Sequence, residues 1–239
     1  FAADTTVNSD ATWTGSVVLT GNVTVANGTT LTISSGTTVD GTDDHWIRID
    51  GTLIAEDTTF FSSETPLTQG SHGAGLWVGI HISSTGHAQF NNVTIDNAKT
   101  AVRNDGTVHA TDLTIDDAYI GMNNMGTATL EALIANNIDY DVVRTAGDFS
   151  LAGATMTNVA GGILSSGTSD VSDASFTQTG SALKATSGQF TATRIGFDAV
   201  TVGIASQAGA TMQVSSVTGT SVALAVDAGD SDALTLDNM

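Results

Sequence analysis

Carboxylates are the residues of this chain best placed to do chemistry. Asp148 and Asp170 lie about one repeat apart and two positions out of step, so a stacked fold would set them on one face. Two such groups can serve as acid and base on a glycosidic bond, or hold a divalent cation. No Lys or Arg falls on that face, which makes a solvated pair the plainer account. A second series, Asp96-Asn97, Asp116-Asp117, Asn136-Asn137, Asn158 and Gln178, returns at one point of successive repeats. Its oxygens are of the kind Ca²⁺ accepts, with Asp96, Asp116 and Asp117 as the candidate ligands. Ladders of amides and carboxylates that satisfy a turn's backbone would use the same residues. Calcium aside, nothing in the sequence points to a cofactor.

Three other groups invite a reading. Asp173 and Arg194 share a turn position in consecutive repeats and read as a stacked surface ion pair. Trp46, Trp77, His45 and His72 fall in or beside the two least regular stretches, where exposed rings would suit stacking on a sugar, although Trp in a strand more often fills core. His72 stands in Gly70-Ser71-His72-Gly73, a glycine-rich stretch that reads as a flexible loop. Asp148, Asp170 and His72 are the weak catalytic candidates; a non-catalytic chain is the expectation.

The elements that must position these groups follow from a repeat. Glycines return at Gly86, Gly106, Gly126, Gly147, Gly167, Gly188 and Gly209, at intervals of 20 or 21 residues. That period is a solenoid's. In the six units from Gly86 to Ala208, the second, fourth, seventh and ninth residues after the glycine are apolar except Ser169. The residues between them are polar or small except Ile134. This alternation makes two short strands, each with one buried face. The sixteenth position is apolar throughout, as Val102, Met122, Val142, Ile163, Leu183 and Ile204, and marks a third strand. Neither the Leu-x-x-Leu-x-Leu pattern of leucine-rich repeats nor a strict six-residue period is present.

The expected architecture is therefore all-β: a right-handed parallel β-helix, a solenoid of about nine coils with three short strands per coil. At ~4.8 Å per coil the rod is roughly 40 Å long. One domain spans 1–239, with irregular first coils over 1–50, a coil carrying an inserted loop over 51–85, regular coils over 86–229 and an incomplete last coil over 230–239. The start at Phe1 and the stop at Met239 fit a piece of a longer chain, or one on which another subunit stacks.

Composition narrows the partners. Twenty-five acidic against six basic residues give a formal charge of −19, which repels nucleic acid and anionic lipid. No apolar run is long enough for membrane insertion by a helix. The absence of cysteine excludes disulfides and thiolate metal sites. What remains is association with copies of itself, with neighbouring β-helix or surface domains, or with glycans.

Leu31-Thr32-Ile33-Ser34-Ser35-Gly36-Thr37-Thr38-Val39, Ile49-Asp50-Gly51-Thr52-Leu53-Ile54-Ala55 and Trp77-Val78-Gly79-Ile80 resemble the opening of secreted right-handed parallel β-helix repeat proteins of the pectate-lyase-like superfamily, in its non-catalytic surface-protein branch. The resemblance implies an extracellular or cell-surface protein acting as a structural, adhesion or self-assembly module, with end-to-end stacking of coils as one mode. Because that superfamily also holds lyases, hydrolases and phage tailspikes, a polysaccharide-binding or polysaccharide-degrading protein, a lyase or glycoside hydrolase, is the alternative. Scarce lysine, abundant Asp and Thr, and net acidity look like a marine or salt-adapted archaeon or bacterium.

Overall fold

Alternation of apolar and polar residues at period two has one stable outcome when it repeats every 20 or 21 residues: each strand lays its apolar side on the side chain below and bonds its backbone to the coil below. The computed structural model, which describes residues 4–42, 44–64, 77–228 and 233–238, is that outcome. It is a right-handed parallel β-solenoid of about ten turns, close to the nine expected. Every strand pairing is parallel, and no helix occurs among the described residues.

Three faces run the length of the rod. The first stacks His87–Phe90 on Thr52–Ala55 and under Thr107–Ala110, in the register that the glycine period predicts. The second stacks Val93–Ile95 under Leu113–Ile115 and on through Leu133, Ala154, Ala174 and Ile195. The third carries Ile47, Ile80, Val102, Met122, Val143, Ile163, Leu183 and Ile204 in one inward column. The residue in that column is Val143, not Val142 as the spacing suggested. A register irregularity between Ile138 and Asp141 absorbs the extra residue of this coil, and both valines are buried.

The corners explain the rest of the pattern. Between the first and second faces one residue per coil turns the chain with positive φ: Asp57, Asn92, Asp112, Ala132, Gly153, Asp173, Arg194 and Ser216. Between the second and third faces Asn97, Asp117, Asn137, Asn158, Gln178, Ala199 and Ser221 do the same. Left-handed backbone favours Asn and Asp among residues with a Cβ, so the acidic and amide series is first of all a set of bends. Through these bends the segments Thr127–Thr145, Asp148–Ser165 and Thr168–Ala185 each remain one continuous bent strand. At the third corner the periodic glycines serve close stacking. A Cβ on Gly106 would overlap the carbonyl oxygens of Ser83 and Gly86, and one on Gly126 that of Gly106.

Candidate functional site

The second corner brings the calcium candidates together. Asp96 stacks beneath Asp116, whose Oδ1 accepts bonds from the Asp117 amide at 3.1 Å and from Asn137 Nδ2 at 3.2 Å; Asn158 Nδ2 then donates to Asn137 Oδ1 at 2.8 Å. Burial first, then the charges of Asp117 and Asp116, push the Asp96 carboxyl above its ordinary range. Burial, then Asp116 and Asp139, do the same to Asp117. The series is a turn ladder under mutual repulsion. Among the described residues no three His, Asp or Glu side chains are grouped to hold a metal ion.

Asp148 and Asp170 occupy diagonal positions of adjacent coils on the first face, Asp148 opposite Thr168 and Asp170 opposite Ser150. Both are exposed, and their register partners are hydroxyl residues. Asp173 and Arg194 form a two-pronged pair, with both Nε–Oδ1 and Nη2–Oδ2 at 2.6 Å. Arg194 holds the Asp173 carboxyl below its usual range, while both groups stay in solvent.

The aromatic candidates separate. Trp77 is fully buried, stacks on Phe60 with ring centroids 6.2 Å apart, and donates from Nε1 to the Asp96 carbonyl at 3.1 Å. It is core, out of reach of a sugar, which corrects the expectation of ligand contact. Its indole fills the space above Gly41, where a Cβ would strike the ring. Trp46 and His45 are partly exposed, and the His45 Nδ1 is buried without a partner. His72 and the loop around it lie outside the described residues.

Sequence reasoning missed two constellations. Inside the third corner Asn104 Nδ2 donates to Asn124 Oδ1 at 2.7 Å, and Asn124 Nδ2 to Thr145 Oγ1 at 3.0 Å; Ser165 and Ser169 share a bond of 2.7 Å one coil on. The signal was present in a polar residue two places before each glycine: Asn104, Asn124, Thr145 and Ser165. It also gives the lone polar inward residue, Ser169, its reason. The second constellation gathers at the strand irregularity. Tyr140 packs against Tyr119 with the rings tilted by 33° and centroids 5.6 Å apart, Arg144 lies 5.3 Å from the Tyr140 ring, and Asp141 lies 3.4 Å from Arg144 Nε. Burial raises the Asp141 carboxyl against the lowering effect of Arg144 and Lys184, and its Oδ2 is buried without a hydrogen bond. The irregularity that aims these side chains lies within a 21-residue glycine interval, which shows an extra residue but not its place in the coil.

No protein-family model matches the chain, and no curated protein sequence does either. Solved structures similar to the chain include two β-helix proteins. The catalytic unit of the thermostable GH87 α-1,3-glucanase from Streptomyces thermodiastaticus strain HF3-3 aligns over 92% of this chain and 60% of its own length, with 13% identity and a TM-score of 0.49. PfbA, a surface adhesin of Streptococcus pneumoniae, aligns over 93% of this chain and 81% of its own, with 8% identity and a TM-score of 0.45. The chain thus spans less than two thirds of the glucanase unit. Likeness at this level concerns the solenoid fold alone.

Proposed function

We propose that this chain is a non-catalytic extracellular or cell-surface β-helix, a stiff module for adhesion or assembly. One observation carries the reading: polar side chains at the bends bond their counterparts one coil away. Asn92 holds Asp57 at 2.6 Å, Asn137 holds Asp116, Asn158 holds Asn137, Arg194 holds Asp173, and Tyr140 covers Tyr119. Groups engaged along the axis stiffen the stack and are held away from proton transfer to a substrate. Such a rod displays its faces at a fixed spacing to glycans, to neighbouring β-helix or surface domains, or to further copies that continue the coil.

Asp141 favours a second reading, a polysaccharide-degrading protein, because burial raises its carboxyl, the direction a general acid needs, despite the lowering effect of Arg144 beside it. A depolymerisation screen on neutral and anionic polysaccharides, with and without Ca²⁺, separates the two. The structural reading expects neither new reducing ends nor unsaturated products. Product formation that disappears in Asp141→Asn would replace it with the enzymatic one.

A further inference from the structure

The outward column of the second face carries Thr94, Thr114, Ile134, Thr155 and Ser175 in successive coils, then Gly196, then Thr218. Gly196 lies inside the strand Gly188–Asp198, and its φ is not left-handed. A Cβ added there would meet nothing nearer than Ser175 Cβ and Thr218 Oγ1, both at 3.9 Å. Sterically, then, the fold accepts a side chain at this position. The periodic glycines differ: at Gly106 and Gly126 the coil below forbids one. Glycine inside a strand weakens it, and where neither bend nor bulge requires it, close approach of a ligand or another backbone is the remaining reason.

The gap opens a shallow depression of about 320 Å³ whose rim includes Ser175, Thr177, Asp198, Thr218 and Thr220. Two rim hydroxyls are fixed: Thr220 Oγ1 donates to Asp198 Oδ1 at 2.6 Å, and Ser175 Oγ donates to the Ala154 carbonyl at 3.2 Å. Four hydroxyls and one carboxylate therefore surround a bare strip of peptide. No Lys or Arg lines the depression.

We propose that this notch is a subsite for an uncharged saccharide. One pyranose lies with its C–H face on the backbone at Gly196, where a side chain would otherwise stand, and its hydroxyls bond Asp198 and the rim. A carboxylate without a neighbouring cation, on a chain of formal charge −19, disfavours uronates and sulfate esters. The inference rests on the adhesion reading and names the ligand class for it.

The test is affinity electrophoresis of the full chain in native gels containing dextran, xylan or laminarin, with polygalacturonate as the anionic counterpart. At least one neutral polymer is expected to retard the protein, and polygalacturonate is not. Gly196→Thr continues the ladder and is expected to abolish retardation while Tm holds or rises. Gly196→Ala, which adds one methyl to free space, is expected to weaken retardation should the larger variant misfold. Asp198→Asn is expected to weaken binding about tenfold, the scale of one hydrogen bond to a charged acceptor. Retardation by no neutral polymer, equal retardation of a folded Gly196 variant, or stronger retardation by polygalacturonate overturns the proposal. Failure of the scaffold reading is seen separately, as reducing ends released in solution.

Discussion

Replacing Asn124 with Asp tests whether the interior ladder at the third corner holds the coils in register. The Asn124 amide donates to Thr145 Oγ1 and the Asp148 carbonyl, both at 3.0 Å, and to the Gly126 carbonyl at 3.3 Å, while its oxygen accepts from Asn104. Asn124 is fully buried. Asn124→Asp keeps the shape and removes the donors, so the Asp148 and Gly126 carbonyls lose this partner and face a carboxylate. The Gly126 carbonyl keeps its bond from the Asp148 amide at 2.9 Å, so the cost is that of one carbonyl losing its side-chain donor and of a buried carboxylate beside both, roughly 3 kcal/mol at neutral pH. Burial raises the folded-state pKa of the new carboxyl above its unfolded value near 3.9, so the folded state binds the extra proton. The deficit is therefore smallest below about pH 4 and grows as pH rises through the folded pKa. Asn124→Leu, which also lacks the donors but does not titrate, should show a deficit that does not change with pH. Urea unfolding followed by far-ultraviolet circular dichroism at pH 4 and pH 7.5 reads both. A loss under about 1 kcal/mol at pH 7.5, or an equal loss for Asn124→Asp at both pH values, would refute the reasoning.

Three further outcomes follow from the same geometry. Asp117→Asn keeps a residue suited to the left-handed bend and removes a carboxyl whose folded pKa is raised, so it should raise Tm at pH 7, with the gain fading as pH falls through the folded pKa toward the ordinary value of 3.8 and absent below it; an unchanged Tm at pH 7 would count against repulsion in the ladder. Gly106→Ala should leave the chain unable to stack its coils and mostly insoluble, whereas Gly209→Ala, with open space around it, should lose only the roughly 1–2 kcal/mol of a left-handed Ala; comparing soluble yield and Tm of the two checks this. Trp77→Ala should cost about 3–5 kcal/mol, and with Trp13 and Trp46 replaced by Phe the fluorescence of Trp77 should resist acrylamide quenching; ready quenching would restore it as a surface residue.

Periodicity made the fold legible because a solenoid is nearly one-dimensional: each residue's environment is set by its place in the coil and by residues one repeat away. The glycine interval, the inward apolar classes and the exposed Ile134 could all be read without coordinates, as could the stacked pair of Asp173 and Arg194. Two kinds of feature could not. Inserted residues break the count, which is why Val142 and not Val143 was assigned to the third column, and why Tyr119, Tyr140, Asp141 and Arg144 went unnoticed as a group. Side-chain direction at an irregular place is the other: Trp46 and Trp77 look alike in sequence, yet Trp77 fills the space above Gly41.

The sequence by itself determined that the chain coils, how long each coil is and which residues face inward, because burial at period two within a fixed repeat admits one stacking register. Only the tertiary structure decided what the remaining polar groups do. Whether an Asp is a bend, a ladder rung, half of an ion pair or a buried acid depends on what the next coil places a few ångströms away, and that distance is set by backbone φ and by single inserted residues rather than by residue type. The same holds for Gly196, which reads as one glycine among many until the space around it shows that a side chain would fit.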